Sequence, residues 1–426
     1  MFKRADRPLR PSALPDDPLK PVHVMTATSD AETGSTLASE PKGIGTVLTI
    51  LFAFACGALA ANLYYAQPLV ALIGRDTGLA VSLESLIVTA AQAGYAIGLI
   101  LLVPLGDIFE NRKLILATMV LNLFSLAGLA LLPGLFALFS MTLLVGITSV
   151  GAQMIVPLAA SLAPAHKRGE IVGNVMTGLL GGILLARPVA SFLAEHVGWR
   201  GVFGVSGLVV ALILATGYFI IPSRQPRTGK GYRELIGSLG HLFVSEPVLR
   251  RRGLYHAAMF ASFSMFWTAA PVILFREPFA FSPGEVALFT LAGVFGVVAA
   301  PVAGRLADRG HTHVGTMVAI CLAIAAFVLA WFGQTTFWPL LLAGIVIDLG
   351  VQANLVLGQR EIYQLDESIR NRLNAVYMTT FFLGGAIGSA LASPLLETFG
   401  WTAVCLVGAG LPASALAYFL LVEREG

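Results

Sequence analysis

Two charged side chains lie deep inside long apolar stretches of the sequence, Arg187 and Asp348. A charged side chain at the centre of a lipid bilayer costs about 2.5–3.5 kcal/mol to insert, so each should face a wet cavity or a partner. Asp348 could exchange a proton there, pair permanently with Arg187, or bind a cation. Arg187 could anchor an anion, such as a carboxylate, or serve as the counter-ion of Asp348. The two residues therefore predict ion or proton chemistry within a membrane.

Further polar and aromatic side chains recur at helical spacing in the apolar stretches. Gln352 and Gln359 follow Asp348 on one face, and the other sets that share a face are Asn62 with Tyr65, Tyr64 with Gln67, Gln92 with Tyr95, Ser149 with Gln153, and the stripe of His256, Phe260, Phe263 and Trp267. Lipid offers such groups no hydrogen-bond partners. The pattern therefore favours a polar and aromatic cavity. Hydrogen bonds between helices and, for the stripe, aromatic packing are the alternatives.

No set of residues typical of an enzyme or of a metal site accompanies them. The sequence has neither a nucleophile–base pair nor a His-x-x-x-His cluster, and it has no GxxxxGK[ST] loop that would bind a nucleotide. Cys56, Cys321 and Cys405 lie in apolar runs without metal-ligand spacing. We therefore predict no enzyme activity, no metal and no cofactor, and we exclude an ATP-driven pump of that type.

The composition indicates that lipid is the main solvent of the chain. Of the 426 residues, 56% are hydrophobic and 12% are charged, and the mean hydropathy is +0.80. Soluble domains carry about 25% charged residues, so this chain has too few charges to coat a water-facing surface. A net charge of +3 gives no reason to expect a nucleic-acid partner. We predict an all-α polytopic membrane protein.

Apolar runs of about 20 residues, the length that spans a bilayer, follow one another from Ile44 to Leu421. They predict twelve transmembrane helices, near residues 44–73, 83–105, 114–132, 135–163, 170–195, 201–222, 253–276, 283–304, 314–333, 336–361, 371–395 and 401–421. Residues 1–43 and 422–426 are predicted tails, the first disordered and without a signal peptide, and 223–252 is a linker. With both termini and the linker in the cytoplasm, 23 of the 27 Lys and Arg residues fall on the cytoplasmic side, as the positive-inside rule requires.

An internal repeat divides the chain. A shift of 202 residues places Arg168–Trp199 on Arg370–Trp401 without gaps, and ten of 32 positions are identical where chance gives about three. We therefore predict two pseudo-symmetric six-helix bundles, residues 44–222 and 253–421. Because six is an even number, both bundles should have the same orientation in the membrane.

Two pairs of glycines stand out within the repeat. Gly178 and Gly182, and again Gly384 and Gly388, have the small-xxx-small spacing that lets helices touch closely. We interpret the pairs as packing sites along which the two halves slide, not as ligands.

Short charged loops carry a resemblance to a known family. Gly304-Arg-Leu-Ala-Asp308-Arg309 is close to the loop signature glycine–x–leucine–alanine–aspartate–arginine of the major facilitator superfamily. Pro104-Leu-Gly-Asp107, followed by Arg112-Lys113, is a looser version in the first half, with valine where the first glycine is usual. Asn62-Leu-Tyr-Tyr-Ala-Gln-Pro68 and Gln92-x-Gly-Tyr95 resemble bacterial drug and sugar efflux permeases of this superfamily. The resemblance covers residues 44–421.

The resemblance implies the major facilitator fold, in which helices 1, 4, 7 and 10 line a central cavity and helices 2, 5, 8 and 11 lie beside them. The polar and aromatic residues of this chain fall on those helices, and the candidate substrate-binding residues are Asn62, Tyr65, Gln67, Gln92, Tyr95, Gln153, Arg187, Trp267, Gln352 and Tyr377. Asp348 is the candidate proton-coupling residue, because a buried carboxylate near a cation could exchange a proton during the cycle. The implied gating residues, which would latch the halves together when the outer side is open, are Asp107, Arg112, Asp308 and Arg309.

Two departures from the efflux pattern concern charge. Helix 4 has no arginine at residues 146–151, where many exporters of the family keep one. Helix 5 reads Arg187-Pro188-Val-Ala-Ser191, where antiporters usually show glycine–proline–x–x–glycine–glycine. Arg187 therefore resembles an anchor for an anion or a replacement counter-ion.

These observations predict a secondary transporter that works by alternating access and exports a small organic or amphipathic compound in exchange for protons. The alternative within transport is an uptake symporter or uniporter for an organic anion anchored by Arg187. A membrane sensor is the alternative of another class, although the 43-residue tail and the 30-residue linker are too small and polar for an output domain. We expect a monomer in the bacterial inner membrane, with a small-molecule substrate, protons and lipid as partners.

Overall fold

A computed structural model describes residues 45–225, 231–366 and 369–423. The regular elements of these ranges are α-helices and short 3-10 helices, which confirms the all-α prediction. The α-helices are α1 (Thr46–Tyr64), α2 (Val70–Thr77), α3 (Leu86–Leu101), α4 (Asn111–Leu131), α5 (Leu135–Ser149), α6 (Gly151–Leu162), α7 (Arg168–Ile220), α8 (Tyr232–Ser245), α9 (Pro247–Leu274), α10 (Pro283–Thr290), α11 (Ala299–Asp308), α12 (Thr312–Phe332), α13 (Phe337–Tyr363) and α14 (Arg370–Val422). The 3-10 helices are Gln67–Leu69, Val81–Leu83, Val103–Asp107, Ala165–Lys167 and Leu291–Val298.

Ten helical segments within the described ranges are long and apolar enough to cross a membrane. Two of them, α7 and α14, contain 53 residues each, and a helix of that length measures about 80 Å, more than twice the hydrocarbon thickness of a bilayer. Each is interrupted by one glycine with a left-handed φ, 69° at Gly198 and 78° at Gly400. Such a glycine redirects the chain without a loop. Each long element can therefore hold two crossings, and this division favours the predicted count of twelve.

Three other crossings contain breaks that the apolar pattern did not predict. The 3-10 helix Gln67–Leu69 separates α1 from α2, Val150 separates α5 from α6, and Leu291–Val298 separates α10 from α11. Pro68 stands in the first of these breaks, where its missing N–H group is least costly. The last break is eight residues long. A 3-10 stretch of that length inside a helix often marks a hinge.

Glycines bring α1 against α7 and α9 against α14. A Cβ atom built on Gly182 would lie 2.5 Å from the carbonyl carbon of Gly57, and one built on Gly388 would lie 2.6 Å from the Cα of Ala261. Real Cβ atoms do not approach other atoms so closely, so these backbones can touch only through glycine. Each contact joins two helices of the same half of the chain. The glycines are packing sites, as predicted, but the interpretation that the halves slide along them is wrong.

The first half of the chain (residues 45–225) meets the second half (residues 231–423) along α3 and α14. The backbone N–H of Ser85 donates to the hydroxyl of Ser393 at 3.2 Å, and the backbone N–H of Ser393 donates to the hydroxyl of Ser85 at the same distance. One turn further along, the hydroxyls of Thr89 and Ser389 are 3.0 Å apart. In the predicted orientation this interface lies on the outer side of the membrane.

A buried polar network joins four helices of the first half. Asn62 Nδ2 donates to Asn122 Oδ1 at 3.0 Å, and Asn122 Nδ2 donates to the hydroxyl of Thr148 at 2.9 Å. The hydroxyl of Ser206 donates to Asn62 Oδ1. The helices α1, α4, α5 and α7 are therefore linked through side chains that satisfy one another away from water.

We expect Asn122→Leu to lower the free energy of unfolding by about 1–2 kcal/mol, because it leaves the amide group of Asn62 buried without its acceptor. Thermal unfolding in detergent measures the change. Ser140→Ala is the matched control, since the Ser140 hydroxyl bonds to carbonyl groups of its own helix, and we expect it to stay within about 0.5 kcal/mol of the wild type. If Asn122→Leu is as stable as the control, the network does not stabilise the fold.

Candidate functional site

Arg187 and Asp348 come together across the two halves of the chain. Arg187 lies on α7 and Asp348 on α13, and their side chains are 1% and 0% exposed. Arg187 Nη1 is 3.8 Å from Asp348 Oδ2, a distance at which two charges attract each other without a direct hydrogen bond. Two opposite charges at this depth attract strongly because the effective dielectric constant is low. The two intramembrane charges singled out in the sequence therefore form one site.

The carboxylate of Asp348 is held by Trp267 rather than by Arg187. Trp267 Nε1 donates to Asp348 Oδ2 at 2.8 Å. Gly344 precedes Asp348 by one turn, and a Cβ atom built there would already lie 3.4 Å from the Trp267 ring. A longer side chain at Gly344 would displace the indole, so the glycine lets Trp267 reach the carboxylate. Trp267 is the residue of the predicted α9 stripe that bonds to Asp348.

Aromatic rings and a glutamine surround the guanidinium group of Arg187. Its central carbon is 4.2 Å from the ring centroid of Trp267, 5.0 Å from that of Phe263 and 5.9 Å from that of Tyr64. A cation over an aromatic face gains roughly 0.5–2 kcal/mol. Arg187 Nε also donates to Gln67 Oε1 at 3.1 Å. The surroundings therefore favour a positive charge although the site is closed to water.

Two glycines of the 3-10 helix Leu291–Val298 cover the ion pair. A Cβ atom built on Gly293 would lie 2.7 Å from Arg187 Nη1, and one built on Gly296 would lie 3.0 Å from the Cβ of Asp348. A side chain at either position would press on the pair. Because both residues are glycine, the backbone of this segment lies directly against the two charged residues and encloses them.

Four atoms of the site form no hydrogen bond with any described residue. They are Arg187 Nη1, Arg187 Nη2, Gln67 Nε2 and Asp348 Oδ1. Buried polar atoms are usually hydrogen-bonded, and one without a partner costs about 1–3 kcal/mol. Three of these atoms are donors, two on the guanidinium group and one on the amide of Gln67, and the fourth is an acceptor on the carboxylate. The site therefore offers donors and an acceptor side by side.

Gln92 and Tyr95 of α3 and Gln153 of α6 form a second group. Gln92 Nε2 donates to the hydroxyl of Ser264 at 2.6 Å, which is a contact between the two halves. Gln153 Nε2 donates to the hydroxyl of Tyr95 at 3.1 Å, and the Tyr95 ring centroid is 4.4 Å from that of Phe382. Gln92 and Tyr95 thus contact side chains of the second half, and Gln153 joins them through Tyr95.

Tyr377 belongs to a third group, built around His256. The rings of His256 and Tyr377 stack with centroids 5.7 Å apart, and His256 Nδ1 lies 3.0 Å from Asn354 Nδ2. The α9 stripe therefore runs from this group at His256 to the ion pair at Trp267. The sequence did not single out Asn354 or Ser264, because an isolated Asn or Ser in an apolar helix carries no periodic signal.

Two predicted site residues belong to the polar network of the first half, and a third lies beside Asp348. Asn62 belongs to the polar network of the first half, and Tyr65 lies partly buried beside Ser206 of the same network. Gln352 is partly buried one turn after Asp348, and its Cγ would lie 3.4 Å from a Cβ atom built on Gly296. Helical spacing identified the shared faces correctly but did not say which neighbouring helix each face meets.

The predicted gating aspartates both lie near arginines. Asp308 is hydrogen-bonded to Arg360 of α13, a contact within the second half. Asp107 of the first half lies within the electrostatic reach of Arg372, a residue of the second half. Arg309 is exposed. Of the two predicted gating aspartates, Asp107 is therefore the one that is influenced by a charge of the opposite half.

Arg112 lies at the start of α4. It donates to the backbone carbonyl oxygen of Tyr218 at 2.5 Å, and its guanidinium carbon is 5.6 Å from the ring centroid of Tyr218. Both residues belong to the first half. In this conformation Arg112 ties α4 to the end of α7.

Comparisons with known proteins agree with this architecture. A family model described as the Major Facilitator Superfamily matches residues 48–362 and 253–426. The chain is 42% identical over 362 residues to the "Uncharacterized transporter YgaY" of Escherichia coli O157:H7, which covers 85% of this chain and 92% of the relative. It is 24% identical over 270 residues to a "Probable sugar efflux transporter" of Pasteurella multocida, with 62% and 64% covered. The solved structure of a D-xylose-proton symporter is similar in fold, with a TM-score of 0.71 and 16% identity over 88% of this chain and 97% of that chain. The chain therefore belongs to the major facilitator superfamily, and it is a multi-pass membrane transporter of a small molecule rather than an enzyme.

Proposed function

We propose that this transporter exports a small organic or amphipathic compound across the bacterial inner membrane in exchange for protons, and that Asp348 carries the proton. The observation that best supports this proposal is that Asp348 is fully buried in the second half while its oppositely charged neighbour, Arg187, belongs to the first half. Alternating access moves one half against the other around a central site. A charged Asp348 left without Arg187 at membrane depth would cost about 2.5–3.5 kcal/mol. A proton taken up by the carboxylate removes that cost.

The export direction is supported by resemblance and by relatives. The segment Asn62–Pro68 and the pair of Gln92 and Tyr95 resemble bacterial efflux permeases, and one relative carries the name of a sugar efflux transporter. The proposed binding surface comprises the three polar groups around Arg187, around Gln92 and around Tyr377.

We further propose that the transporter consists of two six-helix bundles, that both of its termini lie in the cytoplasm, and that it is a monomer.

The charged loops are proposed to latch the inner side of the transporter. The charge of Arg372 in the second half acts on Asp107 in the first half, so their attraction can hold the halves together while the outer side is open. Asp308 and Arg360 form the corresponding contact within the second half, where they fix the loop that carries Arg309. The opposite, outer end is held by the reciprocal hydrogen bonds described above between α3 and α14.

Proteoliposomes that contain a trapped pH-sensitive dye test the exchange of substrate for protons. An imposed pH gradient is combined with a panel of cationic, anionic, neutral and zwitterionic organic compounds. We expect at least one compound to drive proton movement opposite to its own flux, well above the rate in protein-free liposomes. Substrate flux without proton movement would contradict the proposed exchange and favour a uniporter. Proton movement in the same direction as the substrate would favour the uptake symporter.

A further inference from the structure

The polar atoms of the ion pair that have no hydrogen-bond partner indicate which charges a ligand should carry. Nη1 and Nη2 of Arg187 and Nε2 of Gln67 are donors that no described residue accepts from, and Oδ1 of Asp348 is an acceptor to which no described residue donates. The guanidinium and the carboxylate stand only 3.8 Å apart. A ligand that pairs with both must therefore carry an acceptor and a donor of opposite charge a few bonds from each other.

We propose that the substrate is a small zwitterion, with a carboxylate and an ammonium group a few bonds apart and an apolar body; this inference rests on the proposed function and names the substrate of the same site. The substrate carboxylate accepts from both Nη atoms of Arg187, the two-point geometry that a guanidinium offers. Gln67 Nε2 supplies a third donor. The substrate ammonium donates to Asp348 Oδ1, the oxygen that Trp267 leaves open.

Ligands with a single charge would satisfy only part of this site. A cation would pair with Asp348 and leave the donors of Arg187 unmatched. An anion would take Arg187 away from Asp348 and thereby favour protonation of Asp348, so that substrate and proton would bind together instead of in exchange. A zwitterion matches both residues, and its ammonium group occupies the carboxylate that the proton would otherwise take. Substrate and proton then exclude each other, as exchange requires.

The walls of the site indicate the substrate's body and its way in. The rings of Trp267, Phe263 and Tyr64 surround the guanidinium group, so the body next to the charged groups should be apolar or aromatic. Gly293 lies directly against Arg187 Nη1. The 3-10 helix Leu291–Val298 therefore covers the Nη1 side of Arg187 and must move aside before a ligand can bind there. Its 3-10 hydrogen bonds have poorer geometry than those of a regular α-helix, which favours such a movement.

Four compounds with one body separate the contributions of the two charges. Phenylalanine is a zwitterion, phenylalaninamide a cation, N-acetylphenylalanine an anion and N-acetylphenylalaninamide neutral, and the same set can be made from leucine. Binding to the purified full chain in lipid nanodiscs is measured by titration calorimetry near pH 7. We expect the zwitterion of at least one set to bind tenfold or more tightly than each of its three derivatives. If neither set shows a preference for its zwitterion, the inference is overturned.

Substitutions show which residue causes the preference for a ligand carboxylate and which causes the preference for a ligand ammonium group. Arg187→Gln should abolish the preference for the amino acid over its amide, and Asp348→Asn should abolish the preference for the amino acid over its N-acetyl derivative. A residue with only a structural role would lower all four affinities together. Preferences that persist in both variants would overturn the assignment to this pair.

A near copy of the site supplies a matched control. Arg200 lies 3.7 Å from Asp76, and Trp199 Nε1 donates to Asp76 at 3.0 Å. In contrast to Arg187, Arg200 is 36% exposed and donates to the carbonyl oxygens of Leu129 and Leu132. Because this arginine is already hydrogen-bonded and in contact with water, Arg200→Gln should retain both charge preferences.

Loss of folding and loss of recognition can be told apart. The double variant Arg187→Gln with Asp348→Asn contains no unpaired charge, so it should fold and should no longer prefer the zwitterion over the neutral derivative. A double variant that folds and keeps the preference would overturn the inference. Proton exchange in proteoliposomes without a zwitterion preference would contradict the substrate class and leave the proposed function standing. A zwitterion preference without proton exchange would support the substrate class and contradict the proposed function.

Discussion

Asp348→Asn should reduce substrate-driven proton movement in proteoliposomes to the rate of protein-free liposomes. Asparagine keeps the shape of the side chain, and its Oδ1 can still accept the hydrogen bond that Trp267 donates to the carboxylate. It cannot bind or release a proton, and it carries no charge to compensate Arg187. The dye response at a saturating concentration of the substrate found in the wild-type screen measures this effect. Undiminished proton movement would place the coupling on another group.

Two further variants show whether the loss concerns coupling. Asp76→Asn removes the carboxylate of the exposed Arg200 pair, which lies outside the site with Asp76 54% exposed, and should keep wild-type proton movement. Removal of one partner from a buried ion pair costs about 3–5 kcal/mol, so Asp348→Asn should also unfold at a lower temperature. Adding Arg187→Gln should restore the stability without restoring proton movement. Recovery of proton movement in the double variant would mean that Asp348 only neutralises Arg187.

The central ion pair shows how far residue types can predict a site. Arg187 and Asp348 stand out because lipid penalises a charge in an apolar helix, and each could be named from the sequence alone. Their meeting across the two halves could only be offered as one alternative, since spacing within a helix carries no information about a distant helix. The sequence also could not predict that Trp267 donates a hydrogen bond to Asp348, although the aromatic stripe identified the face of α9 on which Trp267 lies.

Asn62 shows the limit of arguments from helical spacing. Its spacing to Tyr65 correctly identified a shared face of α1, and a polar side chain in lipid must find a partner. That partner is Asn122 of α4, together with Ser206 of α7. A polar face directed at a cavity and one directed at another helix have the same sequence pattern, so the sequence alone could not separate them.

The breaks in the helices were the least predictable part of the fold. The turns at Gly198 and Gly400 occupy one left-handed residue each, whereas a pattern of apolar runs predicts a loop of several residues. The 3-10 helix Leu291–Val298 is wholly apolar and contains no proline or charge that would mark it. Its two glycines pack against the ion pair, a tertiary contact that the sequence of this segment alone does not reveal.

Gly182→Val should lower the free energy of unfolding by about 3 kcal/mol, the upper part of the usual range for overpacking a tight contact. The contact partner is the backbone of Gly57, and a Cβ atom on Gly182 would lie 2.5 Å from its carbonyl carbon. A backbone cannot rotate away as a side chain can, so α1 and α7 would have to separate. Since α7 also carries Arg187 and α1 leads into Gln67, the separation should weaken substrate binding as well. Thermal unfolding and calorimetric titration of the purified protein measure the two effects.

Gly181 provides the matched control in the same turn of α7. A Cβ atom built on Gly181 meets no described atom within 4 Å, so Gly181→Val adds the same side chain to the same helix without a clash. We expect its stability to stay within about 0.5 kcal/mol of the wild type and its substrate binding to be unchanged. Equal losses in both variants would mean that valine disturbs the helix itself. If only Gly182→Val loses stability and substrate binding, the contact between α1 and α7 is what holds Arg187 and Gln67 in place.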